Sequence, residues 1–134
     1  MAARFHKLPL GLKSVPGATK AAVDDLVDRL GYDPPDDYLQ FMRTSNGAEG
    51  AMSESSYLVI WPVEEVISLN EANAVQDFAT QLLLFGSDSG SRGYAFDIGS
   101  PGMPIVSVDL ILTEVIEQMG SNLSEFFQTL AGNP

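Results

Sequence analysis

LLLFGSDSGSRGYAFDIG (residues 82–99) joins a fully apolar run to an alternating one through a linker containing Gly86, Gly90 and Gly93. A glycine-rich linker of this kind is either a phosphate cradle or a turn between two strands. The spacing G-x3-G-x2-G is not the dinucleotide fingerprint, and no Lys-Ser or Lys-Thr follows as a nucleotide-binding loop requires. GYAFD continues as a strand, so no helix N-terminus faces the loop to hold an anion. Asp88 would repel phosphate, leaving Arg92 as its one attractive group, and Asp88-Ser89-Gly90 lacks the alternating acids of a calcium loop. The stretch therefore reads as a β-hairpin. Its first arm, QLLLFGS, reads as a central strand, because continuous apolar sequence implies that both faces are covered.

Outward from this hairpin, YLVIW (57–61) is short, β-branched and aromatic, and is bounded by Pro62, the marks of a strand. MPIVSVDL (103–110) is a further strand, separated from GYAFDIG by the turn GSPG. Four segments read as helices. Thr19 can cap one in which Ala22, Val23, Leu26, Val27 and Leu30 recur at helical spacing, with Gly31 ending it. PDDYLQFMRTSNG starts with Pro35 and two acids, buries Tyr38, Leu39, Phe41 and Met42, and is expected to stop at Asn46 and Gly47 in a left-handed turn. PVEEVISLNEAN places Val63, Val66 and Ile67 on one face. Ser121 or Asn122 opens the last helix, with Leu123, Phe126, Phe127 and Leu130 on one side. AEGAMSESS (48–56) reads as a polar loop. The expectation is a single α+β domain with a mainly antiparallel central sheet and helices packed on one side of it. Residues 1–18 form an N-terminal arm and residues 19–134 the domain.

Composition narrows the function. The 134 residues include no cysteine, which excludes disulfides, thiolate metal sites and cysteine nucleophiles. No apolar run approaches the ~20 residues of a membrane helix. The first 20 residues are basic, with no acid before Asp24, as in a transit peptide, but Pro9 and Gly11 break the apolar part, so a surface arm and a cytoplasmic protein are expected. Net charge is −11, and it is unevenly placed: six bases balance six acids in residues 1–44, whereas residues 45–134 hold Arg92 alone against twelve acids. Such a surface repels nucleic acid and anionic membranes and attracts basic partners, although solubility alone could also account for it.

Candidate chemistry is sparse. His6, the single histidine, lies in the arm, so any catalytic triad or histidine metal site would rest on this one residue, which reads as a solvated side chain. The neighbouring acids Asp24-Asp25, Asp36-Asp37 and Glu64-Glu65 diverge by about 100° on a helix and instead complement helix starts. Asp97 and Asp109, on neighbouring strands, are the leading candidates for a carboxylate pair in a small hydrolase. Trp61, the sole tryptophan, is either a core cover or an interface anchor.

Taken in order, these segments resemble the SUKH superfamily, the Smi/Knr cell-wall assembly regulator family and its bacterial relatives. The resemblance rests on LGYDPPDDYLQFMRTSNGAEG, on YLVIWPVEEVISLNE, on LLLFGSDSGSRGYAFD, similar to Phe-Gly-x-Asp-Gly-x-Gly-x-x-Tyr-x-Phe-Asp, and on the closing GSNLSEFFQTL. It covers residues 19–130 or so. The chain departs from the pattern at Pro34, where Leu is usual, at Ala48, which replaces a Gly, and at Ser89, which interrupts the Asp-Gly turn. The resemblance implies an α+β fold, no catalytic residues, no cofactor, and for bacterial members an immunity role: binding and neutralising a polymorphic or contact-dependent toxin, often a nuclease. Eukaryotic relatives are implied to be regulatory interaction modules. The expected partner is accordingly a basic toxin domain, met through Trp61, Glu64, Glu65, Asp88 and Arg92, with a regulatory scaffold as the alternative.

Overall fold

The computed structural model of the chain describes residues 12–78 and 81–132. His6, and with it Arg4 and Lys7, lies outside the described residues. Seven strands form one sheet in which every neighbour in sequence is a neighbour in space and every pairing is antiparallel: β1 (Leu12–Ser14), β2 (Ala48–Ala51), β3 (Tyr57–Ile60), β4 (Leu82–Ser87), β5 (Arg92–Asp97), β6 (Ile105–Asp109) and β7 (Glu114–Gly120). Four helices complete the single α+β domain: α1 (Lys20–Leu30), α2 (Asp36–Thr44), α3 (Val63–Ala72) and α4 (Leu123–Leu130). β4 and β5 are central, as the apolar run implies.

Helices α1, α2 and α4 lie on one side of the sheet and, with one face of α3, build the main core, while Leu69 of α3 reaches the other. Val23 and Leu26 of α1, Tyr38, Phe41 and Met42 of α2, Val63 and Val66 of α3, and Leu123 and Phe126 of α4 meet Leu58, Ile60, Leu83, Phe85, Tyr94 and Phe96 from the strands. Phe85 and Phe96 stack at 4.6 Å between ring centroids, and Tyr38 meets Phe96 edge-on at 5.3 Å, a geometry that adds to area burial. Burial pushes the Tyr38 phenol well above its ordinary pKa, and its hydroxyl has no hydrogen-bond partner. The opposite face carries a second, smaller core of Trp61, Phe78, Leu82, Leu84, Ala95, Val106 and Val108, covered in part by Leu69 and Val75. Alternation along β4 feeds both cores, Leu83 and Phe85 facing the helices and Leu82 and Leu84 the second core, and the register against β5 slips between Leu84 and Gly86.

Side chains distant in sequence close the helix ends. Thr19 caps α1 by accepting the Ala22 N–H at 3.1 Å, and Gly31 closes it in the left-handed region at φ 80°. Pro62 precedes α3 and offers no side-chain acceptor, so Asn46 supplies one: its Oδ1 accepts the Val63 N–H at 2.8 Å and its Nδ2 donates to Glu64 at 2.8 Å. Asp37 similarly accepts the Leu123 N–H at the start of α4, while Asn122 caps Glu125.

The structure differs from the expectation at four places. Asn46 and Gly47 do not form the left-handed stop of α2. The helix ends at Thr44, Ser45 is extended at φ −147°, and its buried hydroxyl ties Val15 N–H to the Gly47 carbonyl, drawing the chain straight into β2. The loop expected at AEGAMSESS contains β2. Residues 111–120, to which no element was assigned, hold β7. Within the expected arm, Leu12–Ser14 form β1 and pair with β2.

Candidate functional site

The Gly86–Gly93 linker is a closed turn. Asp88 N–H donates to the Arg92 carbonyl at 3.0 Å, Asp88 Oδ1 accepts the N–H groups of Gly90 (2.8 Å) and Arg92 (3.2 Å), and Ser87 Oγ accepts that of Ser89. The amides that would have cradled a phosphate are thus engaged by the loop's own oxygens, and β5 rather than a helix follows. The carboxylate pair expected of a hydrolase does not form either. Asp109 stands opposite Arg92 at one end of the β5–β6 ladder, while Asp97 lies beyond Phe96, which pairs with Ile105 at the other. Five strand residues separate the two levels, about 16 Å, beyond the ~5–9.5 Å over which glycosidic carboxylates cooperate. Each carboxylate is also committed locally, Asp97 to the Ser100 hydroxyl and Asp109 to the N–H groups of Ile111 and Leu112. Among the described residues no group of three or more His, Asp or Glu side chains is placed to hold a metal ion, and no helix is long and apolar enough to cross a membrane.

A groove of about 840 Å³ lies over the outer face of β1, β2 and β3. Its floor is Gly47–Ala51, with Glu49 and Ala51 on the exposed face of β2; Val15, Tyr57, Val59 and Trp61 form its apolar walls, with Lys13 and Glu65 at its margin. The Tyr57 hydroxyl donates to Glu49 Oε2 at 2.7 Å, and that hydrogen bond raises the phenol pKa. Gly47 matters here because a Cβ at this position would lie 2.6 Å from the Ile60 carbonyl oxygen.

The five residues singled out for partner binding do not form one cluster. Trp61 is 9% exposed and packs in the second core, yet its edge also lines the groove. Glu65 borders the groove as well, whereas Glu64 is turned to the Asn46 amide and the cleft beside α1. Asp88 and Arg92 sit at the β4–β5 turn, about three strand rises or 10 Å from Trp61 along the β3–β4 ladder. Tyr94 lies near them; burial, and secondarily Asp88, raises its phenol pKa, while Arg92 lowers it. Absent from the sequence reading were Tyr57, Val15 and the apolar residues Ile111 and Leu112, which are exposed at the β6–β7 turn.

A family model described as the SMI1 / KNR4 family (SUKH-1) matches residues 17–129. The chain belongs to this family. No curated protein matches it. Within the SUKH pattern, the Asn-Gly at the end of the second helix is now explained by chemistry at two places: Asn46 caps α3 and Gly47 lets the β3 backbone approach. Ser89 occupies the position where the family pattern has glycine, and it does so at φ 73°, in the left-handed region. An L-residue there costs about 1 kcal/mol relative to glycine. Ser89→Gly is therefore expected to stabilise the domain by about 0.5–1 kcal/mol in chemical denaturation; a loss of stability would mean that the turn is held by the serine side chain.

Proposed function

We propose that this SUKH domain is a non-catalytic binding protein that occupies the surface of a basic protein partner, and that it serves as an immunity protein neutralising a toxin, with a nuclease domain as the favoured target. The observation that carries the reading is the placement of charge: Arg92 is the lone base among residues 45–134 against twelve acids. The described ion pairs, Lys20–Asp24 and Arg29–Asp25, are both on α1, so they neutralise none of those twelve. Acids left unpaired on a folded surface create a field that raises the encounter rate with a cationic surface and disfavours nucleic acid itself. The engagement of the Asp88, Ser89, Gly90 and Arg92 amides within the turn and the separation of Asp97 from Asp109 support a role in binding over one in catalysis.

The test is a search of the genes beside this chain's own for a toxin domain, whose absence would remove the immunity role, and co-expression with the domain found, followed by stopped-flow association of the two purified proteins. Growth is expected to be restored, and the association rate to fall at least about tenfold between low salt and about 0.5 M. Growth arrest despite co-expression would remove the immunity role. A rate independent of salt would remove the electrostatic basis of recognition.

A further inference from the structure

The β6–β7 turn displays apolar side chains that the fold does not use. Ile111 is 76% and Leu112 63% exposed, and Val115 and Ile116 at the start of β7 extend the surface. Leaving such side chains in water forgoes the favourable burial available elsewhere. They are not on a slack loop: Asp109 Oδ1 accepts the N–H groups of both Ile111 and Leu112 at 2.9 Å, and Leu110 N–H donates to the Ser91 carbonyl at 2.9 Å, tying this turn to the β4–β5 turn. Thr113 closes it at φ 52°, a conformation that a β-branched residue rarely adopts. The two apolar side chains are thereby presented by a fixed backbone, which lowers the ordering cost of inserting them into a partner.

The chemistry of the occupant follows from what surrounds them. Asp109, Glu114 and Glu117 flank the turn and Asp88 stands at the neighbouring one; Arg92, opposite Asp109, is the one base beside these four acids, and the chain has no Lys or Arg after it. A second copy, itself at −11, would bring the same acids against them. Addition of a strand to β7 is opposed by its two register slips against β6, between Ile105 and Val106 and between Ser107 and Val108, which twist an edge away from further pairing. Recognition is left to the side chains at the tip.

We propose that Ile111 and Leu112 are the anchor of the partner interface, entering an apolar cleft rimmed by Lys and Arg on a basic protein domain, with Asp109, Glu114 and Glu117 as the charged rim. This rests on the reading of the partner as a basic protein and adds to it the face that binds. Its test uses the full chain and the toxin domain that the gene search above identifies, with the double variant Ile111→Ser/Leu112→Ser, the rim variant Glu114→Gln/Glu117→Gln, and Val15→Ser in the groove as the rival face. The tip variant is expected to keep the wild-type melting temperature and to weaken binding about 100-fold or more in titration calorimetry, mainly through faster dissociation. The rim variant is expected to slow association at low salt. Wild-type binding that the tip variant retains within about threefold overturns this assignment alone, as does weakening confined to Val15→Ser. Absence of binding by the wild type overturns the immunity reading and this assignment with it. Self-association of the wild type that the tip variant abolishes in sedimentation would make the tip a contact between copies and overturn it too.

Discussion

Asn70→Ala is expected to destabilise the domain by about 3–4 kcal/mol. Asn70 is buried, and its amide makes three hydrogen bonds: Nδ2 donates to the Val66 carbonyl at 2.7 Å and to the Leu84 carbonyl at 3.0 Å, and Oδ1 accepts the Leu84 N–H at 2.9 Å. The reason it is needed lies in the sheet. β3 pairs with β4 at only two positions, Val59 with Ser87 and Ile60 with Gly86, before Pro62 turns the chain into α3. The backbone of Leu84 then faces an edge with no strand on it, in the middle of the protein. Asn70 exchanges both an N–H and a carbonyl bond with Leu84, as a residue of the missing strand would. Alanine would leave a donor and an acceptor buried without partners, each costing about 1–3 kcal/mol. Urea denaturation measures the loss; a change below about 1 kcal/mol would show that the Leu84 backbone finds another partner or reaches solvent.

Asn70 also marks where sequence stops being informative. The apolar stripe of α3 is visible in Val63, Val66 and Ile67, and the helix is found from it, but nothing in SLNEAN says that one of its two asparagines bonds to a strand fourteen residues later. The same holds for Asn46 and Asp37, which cap helices that begin 17 and 86 residues further on. A cap is a local signal only when the acceptor precedes its own helix, as Thr19 and Asn122 do.

The strands divide along a similar line. β4, β5 and β6 carry β-branched and aromatic residues that are buried on both faces, and those runs stand out. β7 does not, because its two slips against β6 leave Ile116 and Met119 as extra residues and destroy the period-two alternation of EVIEQMG. β2 is built from Ala48, Glu49, Gly50 and Ala51, a composition that signals a loop because it lacks the bulky, regularly spaced side chains by which a strand is recognised. The tip residues Ile111 and Leu112 were equally silent, since an exposed apolar pair in a turn has no periodicity to read.

Gly86→Ala is expected to cost about 3 kcal/mol, and to do so for a reason that separates the three glycines of the opening stretch. A Cβ on Gly86 would overlap the Val59 carbonyl oxygen, part of a backbone that cannot rotate away. The two-residue β3–β4 pairing and the hydrogen bond from Trp61 N–H to the Phe85 carbonyl at 3.0 Å are what join β1–β3 to β4–β7, so forcing Val59 outward loosens the sheet along its middle. A Cβ on Gly93 would meet Leu84 Cδ2 and Leu110 Cδ2 at 3.0 Å, the ends of side chains that can turn aside, for a cost of about 1–2 kcal/mol. On Gly90 it would approach only Asp88 Oδ1, at 3.3 Å, and the expected change is within about 0.5 kcal/mol. The order Gly86, Gly93, Gly90 in thermal or urea denaturation follows from strand approach alone. A phosphate cradle would require the opposite emphasis, because there the glycine at the tip of the loop gives the ligand its access to the backbone. Should Gly90→Ala prove the most costly of the three, or should inorganic phosphate protect the wild type from denaturation and fail to protect that variant, the loop would have a ligand and its amides would not be spent on Asp88 and Ser87.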